Sequence, residues 1–140
     1  MTQEKITDFF ENLREDTRID EFKIIYDDHV RFKDPFNEVI GIDAVHDIFA
    51  HMYRNLDLPR FTIIEYLDEG NIAYVKWKFH FSFKNQNREQ MFEGVSRLVM
   101  NEDGSVAEHI DYWDASEHMY EKMSIIGWLL RMIKRKIVKS

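Results

Sequence analysis

Residues 72–83 contain the feature that most restricts the fold, a strict alternation of apolar and polar side chains. Val75, Trp77, Phe79 and Phe81 occupy every second position, and lysine or histidine stands between them. Successive side chains of a strand point to opposite faces, whereas a helix would scatter these rings around its axis. The stretch therefore predicts a strand of an antiparallel sheet with one buried aromatic face and one solvated face.

The other periodicities divide the chain into a helical half and a sheet half. Apolar spacing predicts three helices before Pro59, where proline ends the helical half, and a further helix at the C-terminus. Helices followed by an antiparallel meander indicate an α+β fold, in which a strongly curved sheet wraps over the N-terminal helices as a cone. The predicted helices cover about 2–14, 19–26, 41–55 and 114–140, and the predicted strands cover 30–33, 60–67, 72–83, 90–100 and 109–113.

Composition indicates a single globular domain. The 140 residues suffice for one core, and a hydrophobic fraction of 44% with 14% aromatic residues excludes intrinsic disorder. There is no cysteine, which excludes disulfides, thiolate metal sites and a thiol nucleophile. A reducing compartment fits, and neither a secretory signal pattern nor a bilayer-length apolar run is visible, so we expect a cytoplasmic protein.

Charge is distributed unevenly along the chain. The net charge of −7 argues against a general nucleic-acid partner. Residues 131–140 hold five basic and no acidic side chains, which leaves 14 basic and 26 acidic side chains in the first 130, a net charge of −12. The acidic body and the basic C-terminus are therefore electrostatically complementary.

The C-terminal segment predicts a basic amphipathic helix. We expect residues 1–122 to form the main part of the domain and residues 123–140 to form this helix within the same domain. Two arrangements are open for this helix. In the first it packs on its own domain or on a dimer mate, with its cations facing the acidic body. In the second it contacts an anionic membrane surface through residues 124–140. The apolar stripe of this helix consists of Ile126, Leu130, Ile133 and Ile137.

Polar side chains in the last predicted strand are the first candidates for a functional site. Period two places His109, Asp111 and Trp113 on one face. An imidazole oriented by a carboxylate is an acid/base unit near neutral pH, and a purely structural hydrogen-bonded pair has the same pattern. Asp34, held extended before Pro35, is the second candidate, although a carboxylate in that position also commonly forms a turn.

No pattern indicates a metal or a cofactor. His46 and His51 are five residues apart in a predicted helix, which puts them on different faces. A glycine-rich phosphate loop, a serine elbow and a nucleotide fingerprint are also missing from the sequence. We therefore expect neither a metal nor a cofactor.

Several motifs occur together: a helical start, Asp34-Pro35 after the first strand, Gly41 before the third helix, Phe92-x-Gly94-x-Ser96-x-Leu98, and Asp111-x-Trp113-Asp114. Over about residues 5–120 the chain resembles the nuclear-transport-factor-2-like superfamily, and within it the SnoaL-like and ketosteroid-isomerase-like branches. The resemblance implies the cone-shaped fold. It implies no single reaction, because this fold serves isomerases, cyclases, hydrolases, dehydratases and non-catalytic modules.

The resemblance also implies roles at individual positions. Asp34 takes the place of the aspartate general base of ketosteroid isomerases, and Asp111 is similar to the sheet carboxylate that acts as acid/base in SnoaL-type cyclases. The tyrosine and the protonated aspartate of the isomerase oxyanion hole fall at Phe10 and Ser96, which supply neither group. Classical steroid isomerisation is therefore disfavoured.

Three functions remain open for a pocket of this kind. The first is proton-transfer chemistry of the isomerase, cyclase or hydrolase type on a small apolar molecule, with Asp34, His109 and Asp111 as catalytic residues. The second is a non-catalytic pocket for such a molecule, and the third is a structural module whose outer sheet face forms a homodimer. The side chains expected to line the pocket are Phe10, Trp77, Phe79, Phe92, Ser96 and Trp113.

Overall fold

The computed structural model describes residues 1–35 and 37–113, which form three helices and six strands. The helices are α1 (Gln3–Glu11), α2 (Ile19–Ile25) and α3 (Ile42–Arg54). The strands are β1 (Tyr26–Lys33), β2 (Glu38–Ile40), β3 (Leu56–Glu69), β4 (Ile72–Phe83), β5 (Glu89–Met100) and β6 (Val106–Tyr112).

The strands form one curved, unclosed sheet in the order β2-β1-β6-β5-β4-β3. Strands β3 to β6 are an antiparallel meander, and β1 pairs antiparallel with β2, so the predicted α+β fold with its curved sheet is confirmed. The pairing of β1 with β6 is parallel. Local sequence does not set its direction, because most of the chain separates these two strands and no hairpin connects them.

Strand β4 contributes a continuous row of buried apolar side chains to the core. Its apolar side chains from Val75 to Phe81 are all buried, and the intervening lysines and histidine are half-buried on the other face. Burying each large apolar side chain contributes about 1.5–3 kcal/mol. The aromatic face of β4 therefore supplies much of the energy that holds the helices onto the sheet.

The helices begin where local chemistry satisfies their first backbone groups. Thr2 Oγ1 accepts a hydrogen bond from the Lys5 N–H at 3.2 Å, which makes Thr2 the N-cap of α1. Gly41 precedes α3 with a φ of +107°, a conformation that favours glycine. The apolar faces of α1 and α3 then pack against the sheet, α1 on β3 and α3 on β1 and β3.

Strands β1 and β3 begin four residues before their predicted starts, and β6 begins three residues before its own. Strand β3 starts at Leu56 and includes Pro59, which was expected to precede the strand; the pairing is irregular between Asp57 and Arg60, and Leu58 has a φ of +50°. An edge strand with a bulge tolerates a residue that cannot donate to the ladder. Strand β1 starts at Tyr26, which helical spacing had placed in the second helix.

The predictions for the C-terminal segment lie outside the described residues. These are the helix over 114–140, its basic amphipathic part over 123–140 and the membrane contact of that part. The homodimer and the cytoplasmic location likewise remain predictions. Within the part of the chain that is described, no helix is long and apolar enough to cross a membrane.

Candidate functional site

A continuous chain of hydrogen bonds crosses the core from Trp77 to Tyr26. The Trp77 Nε1–H donates to Ser96 Oγ at 2.9 Å, and the Ser96 hydroxyl donates to Asp111 Oδ1 at 2.5 Å. The His109 Nε2–H meets the same carboxylate oxygen at 2.6 Å, and Tyr26 Oη lies 2.8 Å from His109 Nδ1. The four adjacent strands β4, β5, β6 and β1 each contribute to this buried polar chain.

The surroundings of Tyr26 keep its hydroxyl protonated. Burial, and then the negative charge of Asp111, raise the pKa of Tyr26 well above its ordinary value. When the neutral His109 ring donates its Nε2–H to Asp111, Nδ1 is an acceptor, and the Tyr26 O–H donates to it. Tyr26 thereby orients the imidazole from the side opposite Asp111.

His109 is enclosed rather than exposed to a cavity. It is 1% exposed, with the Phe32 ring edge-on at 4.9 Å, the Phe10 ring edge-on at 5.8 Å and the Tyr26 ring stacked at 5.9 Å. Among the described residues, His109 borders a hollow of about 10 Å³, which Phe10, Ser96 and Asp111 also line. Any influence of His109 on a bound molecule therefore passes through Asp111.

Gly94 explains how Trp77 reaches the polar chain. The two residues are partners across the β4–β5 ladder. A Cβ at position 94 would lie 2.4 Å from two atoms of the indole ring, so only glycine lets this ring lie over β5. That close approach brings Nε1 to Ser96, and it gives the Phe92-x-Gly94-x-Ser96 spacing a structural reason.

Asp34 follows the last residue of β1 and forms a tight turn. Its Oδ1 accepts from the Asn37 backbone N–H at 2.8 Å and from the Asn37 side-chain amide at 3.3 Å, and its own N–H donates to the Asn37 carbonyl at 2.9 Å. The turn-forming interpretation of Asp34 therefore describes its local structure. These bonds also fix the carboxylate at the end of the strand.

Asp34 and Asp111 line the same cavity. It is narrow, about 60 Å³, and Ile48 and Met52 of α3 contribute to its wall. A second hollow of about 440 Å³ adjoins it between residues 33–35 and 110–113, and both carboxylates border that hollow as well. The structure thus brings together two of the three predicted catalytic residues around one space, with His109 behind Asp111.

Aromatic rings form most of the wall of this cavity. Of the predicted ligand-binding residues, Trp77, Phe79, Phe92 and Trp113 line it, whereas Phe10 and Ser96 line the small hollow beside His109. Sequence reasoning missed three further rings in the wall. These are Phe32, Phe49 and Phe61.

The missed rings had only weak sequence signals. Phe61 contacts Phe79 at 4.7 Å and Trp77 at 5.3 Å between ring centroids, yet it lies in an edge strand whose register is irregular. Phe49 is buried on α3. Its helical spacing placed it toward the core, which was the available signal.

The described residues contain no group of three or more histidine, aspartate and glutamate side chains that could hold a metal ion. The ionisable groups among the described residues that line the cavity are two carboxylates, and their surroundings are apolar and aromatic. A carboxylate in such a place accepts a proton or binds a hydrogen-bond donor, and exclusion of water strengthens both interactions. The catalytic roles of Asp34, His109 and Asp111 stay predictions.

Comparison with known proteins identifies the family and the fold. A model of the SnoaL-like domain matches residues 6–109. No curated protein matches the chain significantly.

Solved structures share the fold at low sequence identity. A nuclear-transport-factor-2-like protein from Burkholderia pseudomallei is 15% identical with a TM-score of 0.70, over 86% of this chain and 97% of that one. A protein with a ketosteroid isomerase-like fold from Catenulispora acidiphila, in complex with trimethylamine, is 12% identical with a TM-score of 0.68, over 83% and 89%. TerC, co-crystallised with polyporic acid, is 17% identical with a TM-score of 0.68, over 84% and 94%.

These identities show the fold alone, whereas the family model covers most of the chain. The fold, the polar and aromatic motifs and the matched residues agree with the resemblance seen in the sequence. The chain belongs to the SnoaL-like domain family.

Proposed function

We propose that this protein binds a small, largely apolar molecule in the aromatic cavity and transfers a proton on it. The observation that carries the proposal is that Asp34 and Asp111, which are far apart in the sequence, line one cavity. The rest of its wall is mostly aromatic. Both carboxylates are half-buried beside apolar side chains, where water is partly excluded and their interaction with a bound molecule is stronger than in solution.

In the proposed mechanism Asp34 is the general base. It removes a proton from a carbon beside a carbonyl group and returns it to another carbon of the ligand, or it removes a proton from a water that attacks an epoxide and passes it to the alkoxide that ring opening leaves. Asp111, held by His109, orients the ligand. His109 is a positioning residue in this scheme, because Asp111 stands between it and the cavity. Positioned acid/base groups of this kind typically contribute about 10²–10⁴-fold to a rate.

Two further observations support this class of function over classical steroid isomerisation. Phe10 and Ser96 stand where the isomerase oxyanion hole needs a tyrosine and a protonated aspartate, and Tyr26 Oη is engaged with His109. The structural neighbours with bound trimethylamine and polyporic acid supply a precedent for small molecules on this fold. Such molecules differ widely in shape, so the precedent supports binding rather than a particular substrate.

The test is a thermal-shift screen of small apolar carbonyl compounds and epoxides, followed by turnover assays on those that stabilise the protein. Asp34→Asn should lower turnover by about 100-fold or more while the melting temperature stays within a few degrees. Asp28→Asn, which changes an exposed carboxylate of β1, the strand that precedes Asp34, is the matched control and should leave turnover unchanged. Unchanged turnover in Asp34→Asn would remove Asp34 from the mechanism.

A non-catalytic binding pocket is the second candidate, and the buried polar chain favours it. Trp77, Ser96, His109 and Tyr26 satisfy one another and Asp111 Oδ1 without a ligand, as a purely structural network would. Stabilisation by a compound that is never turned over, with equal affinity in Asp34→Asn, would establish this alternative.

A further inference from the structure

We propose that the cavity selects a positively charged organic ligand, a small apolar body that carries a protonated amine or a quaternary ammonium group. The inference rests on the proposed ligand-binding function and names the chemical class of its ligand. It follows from the charges and the ring faces that surround the cavity.

The cavity wall is net negative among the described residues. Asp34 and Asp111 line it, and none of the lysine and arginine side chains of residues 1–35 and 37–113 does. Protonation of His109, which is bonded to Asp111, would cancel one of the two negative charges and leave the other. Lys33 borders the adjoining hollow of 440 Å³ rather than the aromatic cavity.

The aromatic wall favours the same sign of charge. The face of an indole or phenyl ring carries partial negative charge and attracts a cation that lies within about 6 Å of its centroid. Around the cavity, Phe92 lies 5.1 Å from Trp113 and 5.9 Å from Trp77, while Phe61 lies 4.7 Å from Phe79. These rings pack on one another around the cavity, so a ligand there contacts several aromatic side chains, and an anion would also lie beside two carboxylates.

Both carboxylates are held in place before any ligand arrives. Asp111 Oδ1 receives the Ser96 hydroxyl and the His109 ring N–H, and Asp34 Oδ1 receives two donors from Asn37. Groups fixed in this way lose little conformational freedom when they bind a cation, which improves affinity. The hydrogen bonds from Ser96, His109 and Asn37 therefore hold the two carboxylates in position to bind the positive charge of the ligand.

A matched set of probes tests the charge preference. Benzylamine, benzyl alcohol and benzoate share one ring and differ in charge at neutral pH, and their affinities can be measured by isothermal titration calorimetry on the full chain. We expect benzylamine to bind about tenfold or more tightly than benzyl alcohol, and benzoate to bind more weakly than either. Asp34→Asn and Asp111→Asn should each reduce the preference for the amine while largely preserving the affinity for benzyl alcohol.

Glu93→Gln removes an exposed carboxylate from the other face of β5 and is the control, so it should leave all three affinities unchanged. Equal binding of the amine and the alcohol, tighter binding of benzoate, or binding of none of the three would overturn the inference. The first two results would leave the proposed pocket intact, because a phenyl ring still binds. Amine selectivity that both aspartate variants abolish, in a protein that turns over no compound, would uphold the inference and contradict only the proposed catalysis.

Discussion

Neighbouring residues of β6 place ionisable groups in two different environments. His109 and Asp111 face the core, where they are 1% and 16% exposed and belong to the buried polar chain. Glu108 faces the other side, is 28% exposed and pairs with Arg97 at 3.2 Å and Arg31 at 3.3 Å. Exposed ion pairs contribute about 0–1 kcal/mol, whereas loss of one partner in a buried network leaves the others unsatisfied. On one face of β6, Glu108 forms ion pairs with the two neighbouring strands. On the other face, His109 and Asp111 point to the core, and Asp111 lines the cavity.

The largest expected effect comes from removing the centre of the inner network. His109→Ala should lower the free energy of unfolding by about 3–5 kcal/mol, because it opens a cavity and strips partners from Tyr26 and Asp111. Glu108→Ala, one residue away, should cost no more than about 1 kcal/mol. Urea denaturation monitored by circular dichroism measures both. Equal losses would show that the two faces do not differ as described.

Gly94→Ala should be the next most damaging change. The new methyl group would collide with the Trp77 indole, and overpacking of this kind costs about 1–3 kcal/mol. It should also shift tryptophan fluorescence, because the indole must leave Ser96. Glu93→Ala, at the neighbouring outward position, serves as the control for both measurements. A Gly94→Ala protein with wild-type stability and emission would contradict the close packing of Trp77 on β5.

Alkaline pH provides a test that needs no change to the fold. Burial raises the pKa of both Tyr26 and Tyr53, so the folded state keeps these protons after the unfolded chain has lost them. Their contribution is therefore fully present below pH ~10, the ordinary tyrosine value, and is lost as pH rises above it, by up to about 1.4 kcal/mol per pH unit for each group. Unfolding measured between pH 8 and 11 should show a shallower decline in a Tyr26→Phe, Tyr53→Phe double variant. An equal decline would contradict this linkage.

The two tyrosines should nevertheless differ at neutral pH. Tyr26→Phe removes a hydrogen bond to His109 and should cost about 1 kcal/mol. The hydroxyl of Tyr53 is buried with no hydrogen-bond partner among the described residues, so Tyr53→Phe should be neutral or stabilising. Thermal unfolding of the two variants side by side measures the difference. A greater loss of stability in Tyr53→Phe than in Tyr26→Phe would contradict the hydrogen bond assigned to the Tyr26 hydroxyl and the lack of one at Tyr53 among the described residues.

The smallest effect is expected on the outer face of β4 and β5. Lys78 Nζ lies 3.9 Å from Glu93 Oε1, with Lys78 half-buried and Glu93 exposed. Lys78→Ala should change the free energy of unfolding by less than about 0.5 kcal/mol, since the pair is solvated and flexible. A loss as large as that in Tyr26→Phe would show that outer-face pairs matter as much as the inner chain.

Much of this architecture is predictable from the sequence because it depends on local periodicity. Alternation fixed which residues of β4 face the core, and period two placed His109 and Asp111 on one face of β6. The Asp34-Pro35 constraint, together with the family resemblance, predicted one cavity for Asp34, His109 and Asp111; the two aspartates line it, whereas His109 lies behind Asp111. The inferences on β4 and β6 use residues a few positions apart, where strand geometry decides which face a side chain takes.

The remainder depends on contacts between distant segments. Tyr26 stands at the boundary of α2 and β1, where helical spacing conceals a strand residue, and its partner His109 is 83 residues away. The parallel pairing of β1 with β6 follows from the assembled sheet rather than from a hairpin. Likewise the short β2 and the bulge around Leu58 reflect tertiary pairing that overrides the local pattern.

The central claim is that a small molecule binds between the two carboxylates inside the aromatic cavity. The most direct measurement is a methyl-labelled isoleucine and methionine NMR titration with benzylamine. The account predicts shifts at the methyl groups of Ile48 and Met52, which line the cavity, and none at the exposed Ile24 on α2 or Ile40 on β2. Shifts confined to Ile24 or Ile40, with the Ile48 and Met52 signals unmoved at saturation, would contradict it.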